Sequence, residues 1–292
     1  MLAKLLNKSK ETGKSFQQYL QWFCQEEFIR RIRGSNYADK LVLKGGLLIC
    51  ILTDFESRVT IDIDFLVQHS ADSESGILMM VDEIINIRTG NDYIYFEIAS
   101  TKEILRQEAY RGWSVSLVGV IKNTSTPFSV DFAFGDIVVP KTVKRKVPNQ
   151  LKGFANAEIS TYSLESIIAE KFDAIISRLE YTSRMKDFYD IYYLARMFDF
   201  DGQNLQKALF TTLHNRGTTY SEYTFGYVED LVNSEIIKSH WMRFLSKLEI
   251  QEPDFDEVLS AIRAFLKPVF NAIIIEKQFL SIWSYKKQKW TR

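Results

Sequence analysis

Two strand patterns separated by a pair of glycines make residues 41–67 the segment around which the chain is organised. Residues 41–43 are apolar and are soon followed by Gly45 and Gly46, which predicts a short buried strand and then a turn. Residues 61–65 alternate apolar and acidic side chains with a period of two, as a strand with one polar face does. The pattern therefore predicts a strand, a glycine turn, a brief helix and a second strand.

The acidic positions of the second strand, Asp62 and Asp64, share one face because side chains at i and i+2 of a strand point the same way. Their Cα atoms are expected about 6.5–7 Å apart, so both carboxylates can reach one cation. Aspartate is depleted in strands and like charges repel, so the pattern indicates either an exposed acidic face or a Mg²⁺ site. The glycine pair favours the metal site, because it lets the backbone approach a ligand and opens a helix whose N–H groups can receive a phosphate.

The residues around the glycine pair form two spaced motifs, Lys44-Gly45-Gly46 and Arg58-x-Thr60-x-Asp62-x-Asp64. This combination resembles the AbiEii/AbiGii toxin family of the DNA polymerase β-like nucleotidyltransferase superfamily. Many members of the superfamily have Gly-Ser in place of the glycine pair, whereas the toxin family shares Gly-Gly. The resemblance implies that the two aspartates hold Mg²⁺ or Mn²⁺, that an NTP is the substrate, and that the other residues of both motifs bind the nucleotide.

A third carboxylate is expected further along the chain. Residues 127–134 alternate strictly, which predicts a strand with Asp131 between the small residues Ser129 and Ala133. Asp131 is either a solvent-facing acid or the general base that deprotonates the attacking hydroxyl. Nucleotidyltransferases of this superfamily usually carry such an acid on a later strand of the same sheet, which favours the second interpretation. Asp136, just past the strand, is the alternative.

Lys171 is the next candidate. Ser163 is expected to cap a helix that runs to about residue 180, and Lys171 lies on the border of its apolar stripe, in line with Arg178. A lysine among inward-leaning residues either extends its ammonium group to water or pairs with an anion. The second interpretation makes Lys171 a triphosphate ligand with Arg178 beside it. A lysine on the helix after the core sheet also resembles the third motif of the family.

A further helix is expected to begin near Arg184, with Asp187 in line with its buried face and Asp190 nearer the edge. An acid at a helix N-terminus complements the helix dipole, and it can also hold a cation such as Lys171 in place. The pattern RxxKDxxDI resembles the fourth motif of the family. Asp187 is therefore preferred over Asp190 as the residue that orients the basic side chains.

The remaining elements follow from periodicity alone. An amphipathic helix is predicted over residues 14–33, a helix over 77–87 and strands over 93–100 and 113–121; beyond residue 199, helical periodicity covers 205–213, 227–248 and 255–275, with a break at Pro268. The basic segment 141–152 indicates a solvated loop or one that follows a phosphate backbone. The basic and aromatic residues after 285 indicate a frayed terminus or a contact to RNA or a partner.

Composition narrows the class of protein. The 292 residues are 46% hydrophobic and 25% charged, as in an ordinary globular protein. The formal net charge is zero, so any RNA contact must be local. Cys24 and Cys50 lie in apolar contexts without a CxxC pair, and we expect buried free thiols in a reducing compartment. Neither a signal peptide nor an apolar run of about 18 residues is visible, so we expect a cytoplasmic protein without membrane contact.

These patterns predict an α/β (α+β) fold, with a mixed-sheet nucleotidyltransferase core over residues 1–160. An α-helical region over residues 161–292 is expected to contribute Lys171 and Asp187 to the site. The resemblance implies a bacterial toxin of a type IV toxin–antitoxin and phage abortive-infection system, which transfers NMP to an RNA acceptor, the tRNA 3′ end, and so inhibits translation. It also implies an AbiEi-like antitoxin protein or an antitoxin-encoded regulator as partner. The alternatives are transfer to a protein hydroxyl and a non-catalytic NTP-binding regulator.

Overall fold

The computed structural model of the protein describes residues 1–69, 73–107 and 110–291. The chain forms two compact units. The first consists of Met1–Asp136 and Thr142–Tyr162, and the second of Ile137–Lys141 and Ser163–Arg292. The short segment Ile137–Lys141 thus belongs to the second unit although it precedes the end of the first.

The first unit is built on one mixed sheet. Its elements are α1 (Leu2–Thr12), α2 (Phe16–Arg33), β1 (Leu41–Lys44), α3 (Gly45–Leu52), β2 (Ile63–Val67), α4 (Glu74–Ile85), β3 (Tyr95–Gln107), β4 (Tyr110–Ile121), β5 (Thr124–Ala133), β6 (Val143–Val147) and β7 (Ala157–Thr161). The strand order is β3-β4-β5-β2-β1-β7-β6. The pairs β1–β7 and β2–β5 are parallel, and the others are antiparallel. This sheet confirms the predicted mixed α/β class, and it confirms the strand–turn–helix–strand unit.

Helix α2 forms the centre of the first unit. The sequence predicted an amphipathic helix over residues 14–33, but residues 19–32 are buried on every side. The reason is that α2 contacts β5 and β7 of the sheet and is also covered by α1 and α4. Buried charges need partners. The charged residues of this stretch form ion pairs with one another: Glu26, Glu27, Arg30 and Arg31.

The basic segment 141–152 is not the loop that its charge indicated. Residues Val143–Val147 form β6, an edge strand paired with β7. Only Val147 of this strand is fully buried, so the segment lacks the apolar alternation that identifies a strand. Charged side chains on an edge strand discourage pairing with other chains, which explains the composition.

The second unit is mainly helical. Its elements are α5 (Leu164–Ile176), α6 (Met185–Met197), β8 (Phe200–Asp201), α7 (Gly202–Asn215), α8 (Thr224–Asp230), α9 (Glu235–Lys247), α10 (Phe255–Ile274), β9 (Ile282–Ser284) and β10 (Lys289–Thr291). The predicted helix over 227–248 is interrupted at Leu231–Asn233 by a 3-10 turn. Pro268, expected as a break, lies inside α10, whose buried Phe265 and Val269 on either side stabilise the continuous helix.

Both cysteines are buried free thiols, as predicted. Burial raises the pKa of the Cys24 thiol to about 12, so this group is held in its neutral form. Across the part of the chain that the structure describes, no helix combines the length and the apolar character needed to cross a membrane.

Candidate active site

Four residues of the central strands lie in one row across the sheet. Lys44 on β1 is directly opposite Asp64 on β2. Asp64 is in turn opposite Asp131 on β5, and Asp131 is opposite Ser114 on β4. Residues paired in this way point to the same face, and neighbouring strands are about 4.8 Å apart. The side chains of Asp64 and Asp131 therefore stand side by side on one face.

Asp62 joins this pair from outside the strand. The alternation predicted Asp62 as a strand residue, but β2 begins at Ile63. The Oδ1 atom of Asp62 accepts a hydrogen bond of 2.5 Å from Ser129 Oγ, and Ser129 shares a face of β5 with Asp131. Asp62, Asp64 and Asp131 thus lie on one face. Among the described residues, no three His, Cys, Asp or Glu side chains are grouped so as to hold a metal by themselves.

Ser114 fixes the orientation of Asp131. Its Oγ donates a hydrogen bond of 2.6 Å to Asp131 Oδ1, and both side chains are half-buried. Sequence reasoning did not identify Ser114, and it noted Ser129 only as a small neighbour of Asp131. A serine in a strand carries no functional signal until the pairing of β4, β5 and β2 is known.

Asp136, the alternative third carboxylate, holds Lys44. The Lys44 Nζ atom lies 2.8 Å from Asp136 Oδ2, and these side chains are only 3% and 7% exposed. Lys44 Nζ also lies 5.1 Å from the centre of the Tyr162 ring and donates to the Tyr162 hydroxyl at 3.4 Å. A buried ammonium group needs a counter-charge. Asp136 supplies that charge, so the geometry favours Asp131 over Asp136 as the third carboxylate.

The glycine pair brings the start of α3 against the acidic residues. Gly45 has a φ of +67°, and a Cβ atom added there would lie 1.9 Å from Asp64 Oδ2. A Cβ atom added at Gly46 would lie 2.9 Å from Thr60 Oγ1. Glycine at these positions therefore allows the N-terminus of α3 to pack directly on Asp64 and Thr60.

Substitution of Gly45 by alanine is expected to displace the Asp64 carboxylate as well as strain the backbone. A misplacement of about 1 Å lowers catalytic rates by about 10²-fold, so we expect a loss of that size in nucleotide transfer. Gly13→Ala is the matched control, because Gly13 has a similar φ of +75° and no atom within 4 Å of an added Cβ. Both variants should lower the melting temperature, and only Gly45→Ala should lower transfer. Equal activity in the two variants would contradict this role of Gly45.

The segment before β2 is held by helix α2. Gln25 Nε2 donates to the carbonyl oxygens of Thr60 at 3.3 Å and Ile61 at 2.9 Å, and Gln21 Nε2 donates to the Ile61 carbonyl at 3.1 Å. Both glutamines are buried, and their role was not evident from the sequence. Arg58 lies at the start of this segment, where its carbonyl accepts a hydrogen bond from Cys50 Sγ at 3.2 Å. The backbone that leads into Asp62 is therefore fixed from two sides.

The second unit contains a separate cluster around Lys171. Its Nζ atom lies 3.1 Å from Asp187 Oδ1 and 2.6 Å from Asp190 Oδ2. Arg184 Nε lies 2.7 Å from Asp187 Oδ2. Lys171, Asp187 and Asp190 are all buried, so Lys171 does not extend its ammonium group into water. Both aspartates contact Lys171, and Asp190, which the sequence pattern did not favour, is the nearer one.

Arg178 does not share the helical face of Lys171. Helix α5 ends at Ile176 instead of near residue 180, and Arg178 lies between this helix and the 3-10 turn Leu179–Tyr181. The predicted cap is confirmed, because Ser163 Oγ accepts a hydrogen bond of 3.0 Å from the backbone N–H of Ser166. The periodicity of the sequence continued past the true end of the helix.

A second ion-pair cluster on α5 was missed. Arg216 lies 3.0 Å from Asp173 Oδ2 and 3.1 Å from Glu170 Oε1, and Thr218 donates to Asp173 Oδ1 at 2.5 Å. Arg216 follows the end of α7, so these contacts join α5 to the end of that helix. The cluster is explained by this structural role.

The Asp187 carboxyl gives a pH-dependent contribution to stability. Burial raises its pKa, but the Lys171 and Arg184 charges outweigh burial and hold the pKa at about 2, below the ordinary 3.8. A depressed folded-state pKa stabilises the protein above the unfolded value, and this contribution is lost as the pH falls from about 4 to about 2. We expect a loss on the order of 2 kcal/mol.

Urea unfolding of the wild type and of Asp187→Asn between pH 6 and pH 2 tests this expectation. The variant should lose less stability than the wild type below about pH 4. The control is Asp92→Asn, because Asp92 is exposed. Asp201 is unsuitable for this purpose because its side chain caps α7. Parallel pH curves for wild type and Asp187→Asn would contradict the depressed pKa.

A mixed sheet with carboxylates paired on adjacent central strands, beside a glycine turn that opens a helix, defines a nucleotidyltransferase. The family to which the chain belongs is AbiEii, because the family model described as "Nucleotidyl transferase AbiEii toxin, Type IV TA system" matches residues 27–261. This match confirms the family predicted from the glycine and aspartate motifs. Membership makes the protein a nucleotidyltransferase of a toxin family, with an NTP as substrate and an antitoxin as partner.

Two crystal structures are similar to this chain. A crystal structure of a candidate nucleotidyltransferase from H. pylori is 12% identical, with a TM-score of 0.50, and covers 91% of this chain and 100% of its own. The crystal structure of JHP933 from Helicobacter pylori is also 12% identical, with a TM-score of 0.49, and covers 90% of this chain and 95% of its own. None of the curated proteins compared with the chain matches it. At 12% identity the first of these structures supports the fold alone.

Proposed function

We propose that the protein transfers a nucleoside monophosphate from an NTP to the 3′ end of tRNA and releases pyrophosphate, with Mg²⁺ or Mn²⁺ held by Asp62 and Asp64. The observation that carries this proposal is the direct pairing of Asp64 with Asp131 beside Gly45. Two acids at neighbouring positions repel each other unless a cation or a basic group lies nearby. Their position against the start of a helix is suited to a charged phosphate.

The donor set fits a hard divalent cation. Asp62, Asp64 and Asp131 present carboxylate oxygens, and Mg²⁺ is usually bound by one or two carboxylates together with substrate phosphates and water. When bound, the cation would neutralise charge that develops on the phosphate oxygens.

The residues of the chain have distinct proposed roles. Asp131 is the general base that takes the proton of the attacking hydroxyl, and the hydrogen bond from Ser114 Oγ to its Oδ1 orients the carboxylate. The backbone N–H groups at the start of α3 receive phosphate oxygens. Arg58 and Thr60 bind the nucleotide beside them. Lys44, tied to Asp136, places a positive charge next to Asp64.

The motif residues of the second unit are also assigned to nucleotide binding in this proposal. Lys171 and Arg178 are proposed ligands of the triphosphate, and Asp187 orients Lys171. The ion pair between Lys171 and Asp187 supports the orienting role. In this proposal, the domain of residues 161–292 provides the side chains that complete nucleotide binding.

Membership of a toxin family supports a proposal for the biological role. We propose that the protein is the toxin of a phage abortive-infection pair, that it acts in the cytoplasm, and that modification of the tRNA 3′ end stops translation. Its partner is then an AbiEi-like antitoxin protein or a regulator encoded with it. Transfer to a protein hydroxyl is the competing acceptor chemistry.

The test is to incubate the purified protein with total tRNA, Mg²⁺ and each α-labelled NTP in turn. Label on RNA that is lost in Asp62→Ala and in the presence of EDTA supports the proposal and identifies the base. Label on protein alone would overturn the RNA acceptor. No label with any NTP, in a protein that binds NTP, would overturn the proposed transfer.

A further inference from the structure

The C-terminal hairpin is an ordered element, although the sequence indicated a frayed terminus as one interpretation. We use this name for residues 282–291, which comprise β9, β10 and the tip between them. β9 pairs with β10 on one side and with β8 on the other, so the hairpin is part of a three-stranded sheet. Arg292 lies outside the described residues.

Two tryptophans anchor the hairpin to the second unit. Trp283 is 1% exposed, and its Nε1 donates to the Ala195 carbonyl at 2.7 Å. Trp290 Nε1 donates to the Phe265 carbonyl at 2.9 Å, and its ring stacks on the Phe265 ring with centroids 5.8 Å apart. Trp283 is buried and Trp290 is half-buried, and the satisfied N–H groups of both rings make this a firm attachment.

The tip of the hairpin is fixed as well. The backbone N–H of Tyr285 donates to Asp199 Oδ1 at 2.9 Å. Gln288 Nε2 donates to the Tyr285 carbonyl across the tip and to the Ala195 carbonyl at 3.4 Å. The backbone from 285 to 288 is therefore held by contacts to Asp199 and Ala195 of the second unit.

The hairpin carries three exposed lysines, Lys286 and Lys287 at the tip and Lys289 at the start of β10. Within the described residues, none of the three ammonium groups has a carboxylate within 4 Å, although the chain as a whole carries equal numbers of acidic and basic residues. A local positive patch on a neutral protein attracts polyanions without a general field. Since contacts within the second unit already hold the backbone of the tip, binding is expected to cost little additional backbone entropy.

We propose that the C-terminal hairpin contacts the phosphate backbone of the RNA acceptor. Protein–protein interfaces are depleted in lysine, whereas nucleic-acid interfaces are much more positively charged, so three clustered lysines favour RNA over a protein partner. Tyr285, whose ring lies 5.9 Å from Lys286 Nζ, adds an aromatic face of the kind on which unpaired bases stack. This inference rests on the proposed RNA acceptor.

The test measures binding of total tRNA to the full chain by fluorescence anisotropy, without NTP, over a range of salt concentrations. The variant is K286Q/K287Q/K289Q. The matched control, K4Q/K10Q/K207Q, removes the same charge from three exposed lysines elsewhere. We expect the hairpin variant to bind tRNA at least about tenfold more weakly than the wild type. The slope of the logarithm of its binding constant against the logarithm of salt concentration should be smaller in magnitude by about two. The control should lose far less affinity, and both variants should keep the melting temperature of the wild type.

Each result has one meaning. Wild-type affinity in the hairpin variant, equal losses in the two variants, or no tRNA binding by the wild type would overturn the hairpin contact. Unchanged tRNA binding together with a lost antitoxin complex would assign the hairpin to the protein partner instead. If the hairpin variant loses tRNA affinity while the labelling assay marks only protein, the hairpin contact stands and the proposed acceptor fails.

Discussion

Asp64→Asn should reduce nucleotide transfer by at least about 10³-fold while the protein stays folded. The expectation follows from the position of Asp64, which is opposite Asp131 on β5, opposite Lys44 on β1 and against Gly45 at the start of α3. No other carboxylate of the set has this central place. Asparagine keeps the shape of the side chain but removes the charge that a cation requires. The measurement is initial-rate incorporation of labelled nucleotide over a titration of Mg²⁺.

The control for this variant is Asp92→Asn, which removes the same charge from an exposed turn of the first unit. Asp92→Asn should retain wild-type transfer, and both variants should show the wild-type circular dichroism spectrum. Asp64→Asn activity that recovers at high Mg²⁺ indicates weakened metal binding and remains compatible with the proposed role. Transfer near the wild-type rate at ordinary Mg²⁺ would remove Asp64 from the site.

Lys171→Met should lower the free energy of unfolding by about 3–5 kcal/mol. The methionine side chain fills similar space, but the buried carboxylates of Asp187 and Asp190 lose the ammonium group that now lies 3.1 and 2.6 Å away. Asp187 keeps Arg184, whose side chain is 45% exposed and therefore a weaker partner. Urea unfolding at pH 7 measures the loss.

The triple variant Lys171→Met, Asp187→Asn and Asp190→Asn separates charge from packing. Removal of a whole buried ionic cluster is often neutral, whereas removal of one partner leaves an uncompensated charge. The triple variant should therefore recover most of the stability that the single variant loses. Equal losses in both would show that the lysine stem, and not the ion pairs, stabilises this region.

The sequence was most informative where the site is local. The glycine pair and Asp64 lie within one short unit, and only a strand, a turn and a second strand are needed to relate them. Ser114 and Gln25 were not identified because each reaches the site through a contact that is distant along the chain. The hydrogen bonds that orient Asp131 and fix Thr60 depend on tertiary pairing, and a single sequence carries no signal for that pairing.

The errors in secondary structure have the same origin. The amphipathic pattern expected for α2 is absent because helices and sheet cover it on every side. Edge strand β6 buries almost no apolar surface, so its lysine-rich sequence was interpreted as a loop. The C-terminal hairpin is ordered by Trp283 and Trp290, whose partners lie on α6 and α10. In each case the decisive contact comes from another element.

The parallel pairing of β2 with β5 also bears on the order in which the proposed site is assembled during translation. A ribosome has synthesised Asp62 and Asp64 well before it reaches Asp131, and the hairpin of β3 and β4 must form in between. Contacts between distant segments form late because closing the intervening loop costs entropy. A nascent chain that ends before Asp131 thus carries two of the three carboxylates of the proposed set, and we expect it to be inactive in nucleotide transfer. On this basis we expect no need for an antitoxin until translation has passed Asp131.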